Sequence, residues 1–335
     1  MRAAVAEGEP ESRRGGAFAW RGWSGVLKIS VSVLAGWLLW IQVEDPAELL
    51  EALLRVEPAI VGFAVLLYLV GQVLTAYRWQ VIAAKVGFSS SFSEITRFYF
   101  IGMFFNLFGP STLGGDVVRS LYLGRTDGRR AVALNTVIFD RLSGLGMLVV
   151  VAVVAMLFFG SFNLPAWVVY LSWSLGILMV AGWWLVPAVT RFTLADGNRV
   201  RTLVEEELAP FWYDAALLFK AAWVSVGFHV LQILTLVLLG SALGLELPWQ
   251  YYFVFHPLVT IFSALPISVA GLGIREMGYL WFLARSQVPS ELSVAFGLLW
   301  LTVLLASSAA GGLVFLWDDS GLPSLRGREG FHGSG

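Results

Sequence analysis

Six ionisable residues sit where an apolar chain should not carry them: Asp116, Arg119, Asp140, Arg141, Arg275 and Glu276. Charges taken into a bilayer are costly, and those that persist are paired, functional or both. Arginines in that setting can grip an anionic oxygen. Carboxylates can hold the arginines while the site is empty, or bind a cationic group. Adjacent helical residues diverge by about 100°, so Asp140 and Arg141 do not simply pair with each other. Asp140 is expected to meet Arg119 or Arg275, and Arg141 to meet Asp116 or Glu276. The alternative is that the helix starts later and Asp140 is interfacial. Asn106, Asn135, His229, Gln232 and His256 also lie in apolar surroundings; each alone reads as an interhelical hydrogen-bonding group rather than a ligand. Tyr77-Arg78-Trp79 reads as an interfacial anchor.

Two stretches position these charges and share one pattern. Pro110, Thr112, Gly115 and Arg119 recur at the same offsets as Pro266, Ser268, Gly271 and Arg275, with Gly114 and Gly273 close by. Proline cannot continue an incoming helix, because it lacks an N–H and clashes one turn back. The glycines allow backbone angles and close approaches that other residues resist. A second half-helix beginning there would present free N–H groups and a positive dipole end, which is an anion site. Paired broken hydrophobic segments in matching places of two halves mark the substrate site of many transporters. The competing reading is that proline and glycine merely kink ordinary spans.

The elements that carry these stretches are membrane helices. The chain is 58% hydrophobic and 13% charged, too few charges for a soluble domain of this length. Full spans are expected at roughly 24–43, 58–77, 131–159, 166–186, 218–240 and 291–316, each near the ~20 apolar residues that cross hydrocarbon. Broken regions fall at roughly 97–124 and 251–285. Basic residues cluster on one side of this arrangement, leaving Arg55, Arg275 and Arg285 outside and Arg141 within a span. By the excess of positive charge on the cytoplasmic side, both termini are cytoplasmic. The first broken region then enters and leaves from inside, the second from outside. The expected fold is an all-α polytopic membrane helical bundle with an inverted-topology repeat and two re-entrant helical hairpins. Its parts are a cytoplasmic tail 1–23, a membrane domain 24–316 (repeats 24–159 and 166–316) and a disordered cytoplasmic tail 317–335. The segment 187–217 is expected to lie along the membrane surface as an amphipathic stretch, or to be a solvated connector.

Other chemistry finds no support. There are no cysteines and three histidines, His229, His256 and His332, without metal-ligand spacing. No hydrolase elbow, phosphate loop or zincin motif is present, and Gly271-Leu272-Gly273 lacks the rest of a dinucleotide fingerprint. The expectation is no enzyme, no cofactor, no metal and no nucleic-acid partner.

Together, Tyr77-Arg78-Trp79, Phe104-Phe105-Asn106 through Gly114-Gly115-Asp116-Val117-Val118-Arg119, Asp140-Arg141-Leu142, and Pro266 through Gly271-Leu272-Gly273-Ile274-Arg275-Glu276 resemble the membrane region of lysylphosphatidylglycerol synthases. That region also occurs alone in flippase-like integral membrane proteins, and the resemblance spans about 24–316. It implies translocation of a phospholipid or lipid-linked headgroup, anionic or zwitterionic, between leaflets of the inner membrane. A helper role is the alternative: a non-transporting scaffold for a lipid- or glycan-modifying envelope enzyme. The synthase domain of the full-length enzymes is not expected here. The substrate-binding candidates are Pro110, Thr112, Gly114, Gly115, Asp116, Arg119, Asp140, Arg141, Pro266, Ser268, Gly271, Gly273, Arg275 and Glu276.

Overall fold

A computed structural model describes residues 28–109, 113–160, 162, 164–265 and 267–318. Pro110, Thr112, Pro266, the segment 1–23 and the chain from 319 onward lie outside the described residues. Those described form helices and no strand. In chain order they are α1 (Lys28–Trp40), α2 (Pro46–Arg55), α3 (Pro58–Lys85), α4 (Phe92–Phe108), α5 (Gly114–Asp127), α6 (Arg130–Phe159), α7 (Ala166–Thr193), α8 (Arg199–Thr202), a π-turn over Leu203–Glu207, α9 (Ala209–Trp212), α10 (Ala215–Ala242), α11 (Trp249–Ser263), α12 (Ile274–Ala284) and α13 (Ser290–Leu316). Five of them, α3, α6, α7, α10 and α13, are long and apolar enough to cross a membrane. The protein is a polytopic α-helical membrane protein.

Local sequence sets the ends. Pro46 and Pro58 open α2 and α3 at positions where a missing N–H costs nothing. Ser91 and Glu94 form a reciprocal capping box on α4. Asp214 accepts from the Leu217 N–H at the start of α10. Gly128, at φ 67°, closes α5 in the left-handed region.

The two expected breaks are present. α4 ends at Phe108 and α5 begins at Gly114; α11 ends at Ser263 and α12 begins at Ile274. Each pair folds back on itself. Phe98 stacks on Tyr122 and the Gly115 N–H donates to Asn106, so α4 and α5 run antiparallel. Tyr251 donates to the Phe282 carbonyl, and His256 meets Tyr279, so α11 and α12 do too. The open ends of the two pairs face opposite ends of the bundle. Tyr77 near the close of α3 packs on Phe92, and Arg129 donates to the Val86 carbonyl. At the other end Phe159, closing α6, meets Trp249, and Trp167, opening α7, meets Trp281.

α3 and α10 form the centre. They run antiparallel, with Lys85 paired to Asp214 at one end and Phe228 against Gly71 at mid-length. The remaining packing is reciprocal. α4 lies on α13 and α11 on α6, α5 packs on α6 and α12 on α13. Glycine permits the α4–α13 approach: a Cβ at Gly311 would fall 2.1 Å from the Phe100 carbonyl oxygen, an approach that only small residues allow between membrane helices.

Three expectations need correction. α3 runs past 77 to Lys85, which leaves Arg78 and Trp79 inside a helix at 5% and 0% exposure rather than at an interface. Arg78 therefore gives no loop charge to orient the chain, and neither does Arg119, at 4% exposure. The stretch 187–217 is not one continuous surface helix: residues 191–200 are mostly exposed, but its ends belong to the bundle. α7 continues to Thr193, and beyond it Leu208 and Phe211 turn inward, where Phe211 stacks on Phe139 at 4.9 Å.

Candidate functional site

Five side chains from three helices form one buried ion network. Arg78 on α3 donates from Nε to Asp140 Oδ1 on α6 at 2.8 Å, and from Nη1 to Ser225 Oγ on α10 at 2.7 Å. Arg119 on α5 donates from Nη1 to Asp140 Oδ2 at 3.0 Å and from Nε to Asp116 Oδ1 at 3.2 Å. Arg141 closes the chain on Asp116 Oδ2 at 2.6 Å. Asp140 is 1% exposed and Asp116 6%, whereas the Arg141 side chain is 42% exposed. Buried charges persist when geometry and hydrogen bonding satisfy them. Here all four carboxylate oxygens are engaged, and the Arg119 guanidinium also lies over the rings of Trp79 and Tyr99, 4.8 and 4.9 Å from their centroids.

The expected pairings of Asp140 with Arg119, and of Arg141 with Asp116, are the ones found. Asp140 is not interfacial, and Arg78 is the partner that sequence reasoning missed. A signal for it existed. Tyr68, Gln72, Thr75 and Arg78 fall at helical spacing on α3 and line one cavity, a polar stripe in an otherwise apolar span.

Arg275 and Glu276 form a separate pair at the start of α12. Glu276 accepts from the Gly273 N–H at 2.6 Å and from Arg275 Nε at 3.1 Å. Nη2 of Arg275 is buried with no hydrogen-bond partner.

A cavity of about 480 Å³ brings these groups together, within the ~300–1,000 Å³ range of ligand sites. Its wall includes Arg78, Asp116, Arg119, Asp140, Arg141 and Arg275. Both breaks reach it, through Asn106 and Leu113 of the first and Ser263 and Ala270 of the second. The polar groups between include Tyr68, Gln72, Thr75, His229, Gln232 and Ser308. Gln72 lies at the midpoint of α3 and His229 at that of α10, helices of 28 residues each, or about 42 Å.

The predicted glycines shape the backbone at the two breaks. Gly115 lets α5 touch α4: a Cβ there would sit 1.7 Å from the Gly102 carbonyl oxygen. Gly114 begins α5. Gly271 and Gly273 adopt φ of 76° and 83°, which other residues resist, and a Cβ on Gly273 would strike Ala35 of α1 at 2.4 Å. Ser32 of α1 accepts the Val269 N–H, so α1 latches the second break. Ser268 is fully buried, and its hydroxyl has no partner. Ser268, Gly114, Gly115, Gly271, Gly273 and Glu276 do not line the cavity. Among the described residues no cluster of three or more His, Asp or Glu could hold a metal ion.

The class of protein is thus a helical membrane protein with a charged cavity between two helix breaks. The chain belongs to the lysylphosphatidylglycerol synthase TM region family, which matches residues 25–311. It is 24% identical to a UPF0104 membrane protein of Methanothermobacter thermautotrophicus over 81% of this chain and 87% of the relative. It is 23% identical to a UPF0104 membrane protein of Methanocaldococcus jannaschii over 75% of this chain and 82% of the relative. No solved structure matches it.

Proposed function

We propose that this protein is a flippase-like carrier that moves a phospholipid or lipid-linked headgroup between the leaflets of the inner membrane, and that it is not an enzyme. The observation that carries this reading is the cavity, where four guanidiniums face two carboxylates at the mid-length of the central helices. A wall with surplus positive charge suits an anionic headgroup, while the acyl chains stay in lipid. Non-helical backbone is tolerated at membrane depth only where it is buried in protein or lines a wet cavity, and both breaks do the latter.

Two further features support it. The antiparallel central pair and the reciprocal packing fit an inverted-topology repeat, in which the α3–α6 unit corresponds to the α10–α13 unit. The opposite-facing open ends of the two helix pairs fit hairpins that dip into the bilayer from opposite faces. The basic groups Lys85, Arg97, Arg125, Arg129 and Arg130 support a cytoplasmic position for the mouth of the first hairpin and for both termini.

The test is lipid movement in proteoliposomes holding the purified full chain and a mixture of acyl-labelled phospholipids, read by the fraction of label that a membrane-impermeant quencher reaches. Wild type should expose both leaflets. Arg119→Ala combined with Arg275→Ala should return the rate to that of protein-free vesicles, and an unchanged rate in that variant would sink the reading.

A further inference from the structure

Every carboxylate at the cavity is already taken. Asp140 holds Arg78 and Arg119, and Asp116 holds Arg119 and Arg141, one guanidinium on each oxygen. Glu276, behind Arg275, gives one oxygen to that guanidinium and the other to the Gly273 N–H. An ammonium group entering this space would meet no acidic oxygen without a partner. It would also meet a net positive wall, because four guanidiniums stand against these three carboxylates.

The groups without partners carry no negative charge, and the buried Nδ1 of His229 is one of them. Nη2 of Arg275 is buried and makes no hydrogen bond, on a residue 9% exposed. The Gln72 carboxamide is 5% exposed and bonds to no described residue. Half-buried Tyr68 and buried Ser308 line the same cavity, and neither hydroxyl makes a hydrogen bond among the described residues. Tyr68 and Gln72 are one helical turn apart on α3, so their side chains are neighbours. Buried polar groups normally find partners. Unpartnered groups around one cavity, a guanidinium and several neutral polar groups, describe a site complementary to phosphate oxygens and hydroxyls.

We infer that the site selects a phosphodiester headgroup that carries hydroxyls and no ammonium: a glycerol, inositol or sugar phosphate. Arg275 takes the phosphate, whose single negative charge matches the surplus on the wall. Gln72, Tyr68 and Ser308 take the hydroxyls, and the Arg78–Asp140–Arg119 network forms the rigid far wall. This rests on the translocation reading and narrows its substrate.

Two measurements separate the two claims. In the vesicle assay, labelled phosphatidylglycerol should equilibrate at least about tenfold faster than equally labelled phosphatidylethanolamine, since two neutral hydrogen bonds to the glycerol hydroxyls are together worth about that ratio. Gln72→Leu, which leaves every charge in place, should shrink the ratio, and Arg275→Gln should slow phosphatidylglycerol about tenfold or more. Equal rates for the two lipids would overturn the headgroup inference and leave translocation standing. Should neither lipid move, translocation falls and binding decides the inference. Native mass spectrometry of the full chain released from membranes of equal phosphatidylglycerol, phosphatidylinositol and phosphatidylethanolamine would then show either retained phosphatidylglycerol or phosphatidylinositol, which sustains it, or retained phosphatidylethanolamine or no lipid, which overturns it.

Discussion

Arg78→Ala is the most discriminating single change. As an interfacial anchor Arg78 would resemble a surface ion pair, worth ~0–1 kcal/mol. In the fold its side chain is 5% exposed and its Asp140 partner 2%. Removing one partner from a buried pair costs ~3–5 kcal/mol, because the other charge stays desolvated. Asp140 would keep Arg119 on Oδ2 at 3.0 Å, which places the loss near the lower end, at ~3 kcal/mol. At about 2 °C per kcal/mol for a chain of this size, the melting temperature in a fixed detergent should fall by about 6 °C. Intrinsic fluorescence reads this directly, since the chain has 15 tryptophans. A cycle with Asp140→Asn removes the ambiguity of a single change. The double variant should be more stable than the summed single losses predict, by at least ~1.5 kcal/mol, since the second substitution relieves the charge that the first strands. A melting point within about 1 °C of wild type, or single effects that add to within ~0.5 kcal/mol, would refute the buried network.

Gly115→Ala should prevent a monodisperse folded protein or cost more than ~4 kcal/mol, because its Cβ would fall 1.7 Å from the Gly102 carbonyl oxygen; Gly62→Ala on α3, with nothing within 4 Å, should instead hold or raise the melting point by the ~0.5–1 kcal/mol of helix propensity. Size-exclusion profiles and melting curves of the two compare a tight helix crossing with a lipid-side glycine. At the end of the bundle, the Lys85 ammonium and then the Leu217 N–H hold the Asp214 carboxyl below the usual carboxylate range. The folded chain therefore binds fewer protons there than the unfolded chain, and the stabilisation is complete above about pH 4 and lost as pH falls through the lowered value. Asp214→Asn should lower the melting point at neutral pH, with the gap to wild type closing below about pH 4; a gap independent of pH would count against the pair.

Much of the fold was legible because membrane spans and helix breaks are local signals. Hydropathy located the five long helices to within a few residues at most ends, and Pro110 and Pro266 marked the stretches where the helices stop. The end of α3 was misread because an arginine after an apolar run looks like a boundary, and only its burial against Asp140 shows that the helix continues. The inward turn of Leu208 and Phe211 was hidden for a related reason. Apolar residues beside Glu205, Glu206 and Glu207 look amphipathic whether their apolar face meets lipid or protein. In the site, helix geometry and charge narrowed the partners of Asp140 and Arg141 to two candidates each, and the fold selects Arg119 and Asp116. Gly271 and Gly273 were recognised as special, and both adopt the turn their positive φ requires; the seat of Gly273 against Ala35 is a contact between distant parts of the chain that no local pattern encodes.

The two helix breaks differ most in what their arginines have left to offer. Arg119 is held by two carboxylates from two helices and covered by two aromatic rings, so freeing it would leave Asp140 with Arg78 alone and Asp116 with Arg141 alone. That is a structural arginine, and its network fixes the angle between α5, α6 and α3. Arg275 is tied on one side only. Its partner Glu276 also caps α12 through the Gly273 N–H, so swinging Glu276 away would uncover the helix start as well as the guanidinium. The pair therefore holds Arg275 still while leaving Nη2 without a partner at a cavity wall. A donor fixed before its ligand arrives loses little further entropy on binding. Of the arginines at the two helix breaks, Arg119 is thus engaged in the network beside the cavity, whereas Arg275 keeps one nitrogen without a partner.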